Sequence, residues 1–275
     1  SIGSQNILDT GTRFSNVFKF EDKDQTTSAL SGTRYILAKT NLETSTLSSN
    51  ISKNQELNNI DLDSKLGLDF FSSAYRAIGN DYYQVKYNNV ATQTIIEPFG
   101  IFKFNHSSIE SLDYEIGFRY HYYELDTDNY TTKTSLSSDD RQNYAWSIGA
   151  NYNLRNGENI FTHISRAYRA PRLDEIISLI SPSPTHSYIK HQYSNDIELG
   201  YEVIGDKQRF KTSVFRTLIK NQIYLNQSTF KNENFDPSVH QGLEIEFDQY
   251  IYDNLKLKSN ATYIDSHFTK GNEKG

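Results

Sequence analysis

The chain has no cysteine and no methionine among its 275 residues. Without cysteine there can be no disulfide framework, no Cys-based zinc site and no thiol nucleophile. No run of about 18 apolar residues occurs, which excludes a transmembrane helix. It does not exclude membrane-spanning strands, whose alternating segments of about ten residues barely register in hydropathy. Basic residues are not in excess. The net charge is −6, whereas a phosphate-binding surface needs a basic face, so nucleic acid is not an expected partner. No phosphate-binding glycine loop, dinucleotide fingerprint, His-Glu-x-x-His or Gly-x-Ser-x-Gly is present, so no enzyme and no cofactor are expected. The start, Ser1-Ile2-Gly3-Ser4-Gln5-Asn6, lacks the basic and apolar regions of a signal peptide. With no initiating methionine, the expectation is an internal piece of a longer protein. No fixed-period repeat suggests a solenoid or propeller.

Aromatic residues are abundant. They make up 13% of the chain, with 20 Tyr and 16 Phe against one Trp, although mean hydropathy is only −0.67. Tyr joins an apolar ring to a wet hydroxyl and suits a boundary between apolar and aqueous phases. It also suits strands of a soluble protein, so composition leaves both open. Nearly every patterned segment has a period of two. The clearest places Leu112, Tyr114, Ile116, Phe118, Tyr120 and Tyr122 against Asp113, Glu115, Gly117, Arg119 and His121. Similar strands are expected around Arg13–Glu21, Thr33–Leu42, Ile60–Phe70, Gly100–Phe104, Tyr144–Leu154, Asn159–Tyr168, Ile197–Val203, Phe210–Ile219, Gly242–Phe247 and Leu255–Tyr263. A turn is expected at Asp22-Lys23-Asp24, and residues 71–98 are the least regular, with Tyr83, Val85 and Tyr87 suggesting a strand.

Connections alternate in length. Asn156-Gly157, Gly205-Asp206 and Asp253-Asn254 read as tight turns, and 126–140, 172–192 and 226–240 as long polar loops. Strands of 9–14 residues, with turns at one end and loops at the other, describe an all-β, antiparallel transmembrane barrel. Periodicity alone does not say which face is the lumen. Only Leu173–Ile180 is a candidate for a turn or two of helix.

Phe161 to Tyr201 is the segment richest in candidates. Pro171 has no N–H for a ladder and ends a strand. Arg166 and Arg169 lie where that strand meets a long loop. They suit either capture of an anionic ligand or ion pairs with Asp174 or Glu175. His186 and His191 share the loop with Tyr188; two histidines without ligand spacing are usually just solvated, but the three are retained as ligand-binding candidates. Glu244 and Glu246 share one strand face at about 7 Å, which fits lumen-facing charge better than a glycosidase pair.

Tyr168-Arg169-Ala170-Pro171 with Leu173 and Glu175, then Ile197-Glu198-Leu199-Gly200-Tyr201, then Phe215 with Ile219–Ile223, then Gly242-Leu243-Glu244-Ile245-Glu246 and Ala261-Thr262-Tyr263 follow one another in order. With Ile116-Gly117-Phe118-Arg119-Tyr120 upstream, this series resembles the barrel of TonB-dependent outer-membrane receptors. The resemblance is clearest over 98–270, and 1–275 reads as one partial barrel domain. It implies an arc of about 12–14 strands from a barrel of about 22, without plug or closing strand. It further implies residence in the outer membrane of a Gram-negative cell. The expected partners are outer-membrane lipid, the TonB complex acting through a plug, and a scarce ligand such as an iron–siderophore, haem or cobalamin held by the outer loops. A passive porin or adhesin-type barrel and a soluble carbohydrate-binding β-domain are the alternatives.

Overall fold

The computed structural model describes residues 2–9, 12–31, 34–57, 59–81, 83–106, 112–129, 134–155, 157–178, 185–186, 189–229, 231–252 and 254–271. Its strands are β1 (Ile2–Asp9), β2 (Thr12–Ser31), β3 (Arg34–Leu57), β4 (Ile60–Asn80), β5 (Lys86–His106), β6 (Leu112–Asn129), β7 (Thr134–Arg155) and β8 (Glu158–Arg169). One helical turn, α1 (Leu173–Ile176), follows, then the short β9 (Ile177–Ser178) and β10 (Thr185–His186). The chain continues with β11 (Gln192–Ile204), β12 (Gln208–Lys220), β13 (Ile223–Asn226), β14 (Lys231–Asn234), β15 (Ser238–Tyr252) and β16 (Leu255–Phe268). Twelve of these form one antiparallel sheet in the order β1-β2-β3-β4-β5-β6-β7-β8-β11-β12-β15-β16. β9–β10 and β13–β14 are separate hairpins in the long loops.

Register assigns the faces. Ile148↔Ile164↔Ile197 and Ala150↔Thr162↔Leu199 form rows across β7, β8 and β11, and Leu199 continues to Val214 and Leu243. Ile148, Ile164, Ile197, Leu199, Val214 and Leu243 are all substantially exposed, as are Ile116, Phe118 and Tyr120 on β6. The opposite face carries Asp69, Glu97, Arg119, His121, Glu198 and Glu244. The polar face is the concave one. On that face Ala77 of β4, Tyr87 and Ala91 of β5, Tyr123 and Leu125 of β6, and Leu173 and Ile176 of α1 converge in a single buried cluster. Laid flat, β4 and β8 would stand about 19 Å apart at the usual strand spacing. Packing the segment after β8 against β4 therefore requires the sheet to curl toward its charged side. The face left open by periodicity is settled this way: charge inside, apolar and aromatic side chains outside.

Glycine marks places where this packing allows no side chain. At Gly200, a Cβ would lie 2.1 Å from the Phe161 ring, which covers that glycine from the neighbouring strand. At Gly157 the backbone has φ of 80°, a left-handed conformation at a tight turn where glycine is unstrained.

Several strands run further than their patterns suggest. β2 passes through Asp22-Lys23-Asp24 without turning, pairing them with Glu43, Leu42 and Asn41. Asp22 and Asp24 accept from the Asn41 amide at 2.7 and 3.0 Å, so the ladder absorbs the polar cluster. β3 extends to Leu57 through the Ser/Thr/Asn stretch, and β4 to Asn80. Much of the loop expected at 126–140 is ladder, with Asp126 paired to Ser138 and Asn129 to Thr134. Tyr83 and Val85 lie in the β4–β5 connection, where Asp81 Oδ1 accepts from the Val85 N–H at 2.8 Å; only Tyr87 enters a strand. For the loop-side extensions of β2, β4, β6 and β7 the reason is shared: beyond the apolar band both faces meet polar surroundings, so paired strands continue without hydrophobic alternation. The Ser/Thr/Asn stretch of β3 is instead held between two patterned strands, with Leu47 paired to Phe18 and Phe70 and Ile51 to Phe14 and Leu66.

Candidate ligand-binding site

The loop-side half of the concave face holds two linked features, a polar network and a cavity above it. In the network, the Arg119 guanidinium donates to Asp69 at 2.6 Å and Glu97 at 2.8 Å. Glu97 also accepts from the Tyr168 hydroxyl at 2.7 Å and lies 2.6 Å from His121 Nδ1. A carboxylate accepts only, so Nδ1 carries the proton. The His121 side chain is 2% exposed, and its Nε2 has no partner among the described residues. Arg119 also stacks on Phe99, 4.6 Å from the ring centroid. Residues 52 positions apart thus converge from β4, β5 and β6, with Tyr168 arriving from β8. Register explains the arrival: β7–β8 pairing stops at Trp146↔Arg166 while β8–β11 pairing continues to Arg169↔Gln192. Released from β7, the end of β8 brings Tyr168 to within 4.8 Å of the His121 ring.

Above the network lies a cavity of about 360 Å³ bounded by Lys23, Gln25, Leu42, Tyr75, Gln93 and Arg172 among others. That is a suitable size for a small ligand. The Lys23 ammonium has no ion-pair partner among the described residues, so the wall contributes positive charge. The cavity's rim is set by the loop after β8. Glu175 pairs with Arg169 and accepts from the Arg172 N–H at 2.9 Å, the return bond of a capping box that starts α1. Leu173 and Pro171 are buried beneath it. The Leu-x-Glu part of the motif is therefore one apolar anchor and one cap.

The loop returns along a second set of contacts. Arg141 donates to the Ile189 carbonyl. His191 is buried, with Nδ1 3.4 Å from the Asn143 amide and its ring 5.5 Å from His121 and 5.9 Å from Tyr123. Asn234 ties the β13–β14 hairpin to this loop, accepting from the Lys190 N–H at 2.7 Å and donating to the Lys190 and Asn221 carbonyls. Asn232 donates to the Glu175 carbonyl at 3.2 Å. In that hairpin Tyr224 and Phe235 stack at 3.6 Å. Hydrogen bonds from Asn226 and Thr229 hold the Glu233 carboxyl below the ordinary carboxylate range. The two long loops thus form one interlocked cap.

The residues singled out from sequence separate into distinct places. Arg169 joins the cap through Glu175, and His191 sits against the network. His186 lies in β10 opposite Ile177, and Tyr188 falls outside the described residues. Arg166 lies on the row of Trp146, on the convex side, away from the cavity. Its guanidinium stacks between Tyr144 at 4.5 Å and Tyr193 at 4.2 Å and donates to Asn143. Glu198 and Glu244 point inward, Gly200 and Gly242 admit the Phe161 and Phe215 rings, and Tyr201 donates to Glu158 at 3.0 Å. Asp69, Glu97, Lys23, Tyr75 and Gln93 escaped the sequence reading. Their only signal is a shared strand phase, visible once the register is known.

A curled antiparallel sheet, apolar on its convex face, charged on its concave face, with tight turns at one end and an interlocked loop cap at the other, is the wall of a transmembrane β-barrel. The chain belongs to the family described as TonB dependent receptor-like, beta-barrel, which matches residues 3–275. Its fold is similar to the unliganded ferric citrate transporter FecA (TM-score 0.75, 13% identity, covering 99% of this chain and 42% of that one). It is also similar to the ferric-catecholate import receptor Fiu from E. coli K12 (0.68, 13%, 98% and 47%) and the copper transporter OprC (0.68, 14%, 95% and 44%). At these identities the likeness is one of fold, and the chain spans less than half of each structure. No curated protein sequence matches the chain.

Proposed function

We propose that this barrel wall belongs to an outer-membrane receptor that takes up a scarce, anionic metal chelate, an iron–siderophore first among the candidates, with import energised through TonB. The observation that supports this reading best is the cavity under the loop cap. It is loop-side, concave, of small-ligand size, and lined by Lys23 and Arg172 beside Tyr75, Gln25 and Gln93. Cations with aromatic and amide groups suit a negatively charged chelate. Two of the structural neighbours are named for metal chelates of that kind, ferric citrate and ferric catecholate. His191 and Arg169 enter as residues that hold the cap over the cavity, with the polar network below serving to fix the wall.

The test uses the whole protein. Cells carrying it as their sole receptor of this type are supplied with radio-iron as ferric citrate or ferric catecholate. The expected result is saturable uptake of at least one chelate that stops when TonB is removed. Lys23→Ala with Arg172→Ala should weaken binding of that chelate by roughly 10- to 100-fold, as expected for two charge-assisted contacts. Uptake indifferent to TonB, linear in concentration and unchanged by the double variant would indicate a passive barrel instead.

A further inference from the structure

The arginines on the two faces of this wall are treated differently, although some concave-face lysines, Lys23 among them, also have no ion pair among the described residues. Inside, Arg119 is paired with Asp69 and Glu97, Arg209 with Glu202 and Glu246, and Arg169 with Glu175. Outside, Arg166, Arg216 and Lys220 have no carboxylate within ion-pair distance among the described residues, although the chain carries a net charge of −6. For Arg166 and Arg216 the outward direction follows from register: Arg166 shares a row with Trp146 and Asn195, and Arg216 sits opposite Ile197 and beside Val214. Lys220, opposite Tyr193, is placed with them by the Tyr193 ring that it shares with Arg166. The three lie on β8 and β12, the two strands that flank β11. The Arg166 guanidinium carbon and the Lys220 ammonium are 4.2 and 5.6 Å from the same Tyr193 centroid, so one ring anchors both.

Their height matters as much as their direction. Arg166 and Arg216 each lie eight residues beyond the strand start at the tight-turn end, Glu158 and Gln208, and Lys220 ends β12. At about 3.3 Å per residue and a tilt near 40°, eight residues climb roughly 20 Å, close to the top of an apolar band about 25 Å tall. Below them the outer face is Leu199, Val214 and Leu243; beside them are Tyr144, Trp146, Tyr193 and Tyr120. Unpaired charge at this level is stable only where polar headgroups meet it. The bonds that Arg166 makes are to neutral acceptors, the Asn143 amide oxygen and the Tyr144 carbonyl, so its charge is left uncompensated.

We infer that Arg166, Arg216, Lys220 and Tyr193 form an outward-facing site for the phosphate headgroup of a lipid in the loop-side leaflet. The inference rests on the transmembrane reading of the wall. The cations supply charge-assisted donors to phosphate oxygens, Tyr193 and Tyr144 hold the Arg166 plane in place, and the apolar rows below accept the acyl chains. The site would fix a particular lipid against β8–β12, directly outside the place where β7 and β8 part.

The experiment is binding of fluorescent phosphatidic acid to the whole receptor in phosphatidylcholine nanodiscs. Arg216→Gln with Lys220→Gln leaves the stacked Arg166 intact and is compared with the native protein and with Arg155→Gln at a tight turn. Each basic side chain near a membrane surface contributes roughly fivefold, so the double variant should bind about 30-fold more weakly, with Arg155→Gln unchanged. Inorganic phosphate at millimolar concentration should not compete, which separates a lipid site from a free-anion site. Equal binding by native protein and double variant, no preference for phosphatidic acid over phosphatidylcholine, or competition by inorganic phosphate would each overturn the inference. Failure of the protein to enter nanodiscs would instead overturn the transmembrane reading on which it rests.

Discussion

Leu199→Arg should destabilise the barrel by about 2–4 kcal/mol, whereas Glu198→Gln, one residue earlier, should change stability by no more than about 0.5 kcal/mol. Leu199 is 53% exposed on the convex face, five residues above the β11–β12 turn and near the middle of the apolar band. An arginine there must be desolvated in hydrocarbon, which costs that much at the bilayer midplane. Glu198 points inward between His163 and Phe215, where an amide keeps the shape and water remains available. Urea midpoints of the whole protein in lipid vesicles measure both. The contrast carries the prediction: a soluble β-domain with this alternation would tolerate Arg at an exposed position 199 with little loss.

Glu97→Ala is the second large effect, and it comes from the other face. Glu97 accepts from Arg119 and Tyr168 and pairs with His121. Deleting it leaves a guanidinium, a hydroxyl and an almost fully buried imidazole without that acceptor. Breaking a buried pair from one side costs about 3–5 kcal/mol. Here Arg119 is 33% exposed and keeps Asp69, so about 2–3 kcal/mol is expected. Tyr168→Phe removes one hydrogen bond from the same group and should cost about 1 kcal/mol. If the network acts as a unit, the double variant will lose less than the two changes added together. Additive losses would mean that Tyr168 and Glu97 are independent.

These two positions also show what a sequence of this kind reveals. Leu199 belongs to a segment where every second residue is apolar because one side meets hydrocarbon, and that contrast is written in the chain. So is the Tyr168–Pro171 motif, whose Pro171, Leu173 and Glu175 act locally, as stop, anchor and cap. Glu97 is illegible for two reasons. Pro98 interrupts its strand by removing a ladder donor, and the pairing of β5 with β6 passes over both residues. Its partners Arg119, His121 and Tyr168 also lie 22, 24 and 71 residues after it, so nothing local marks the group. Arg166 shows the converse limit. The sequence correctly places it at the top of a strand, but facing away from the cavity depends on the parity of Trp146↔Arg166, which only the ladder reveals. The polar upper halves of β2, β6 and β7 are hidden for a third reason: strands beyond the apolar band have no hydrophobic contrast to display.

The orientation of the wall is the claim on which the rest depends, and Trp146, the one tryptophan of this chain, reports on it. It stands on the convex face between Phe118 and Arg166. The measurement is quenching of its fluorescence in vesicles, taken as the difference between the native protein and Trp146→Phe, with acyl-brominated phosphatidylcholine and with aqueous iodide. Strong quenching by the brominated lipid and little by iodide is the predicted result. Quenching by iodide alone would put Trp146 in water and contradict an apolar face turned toward the membrane.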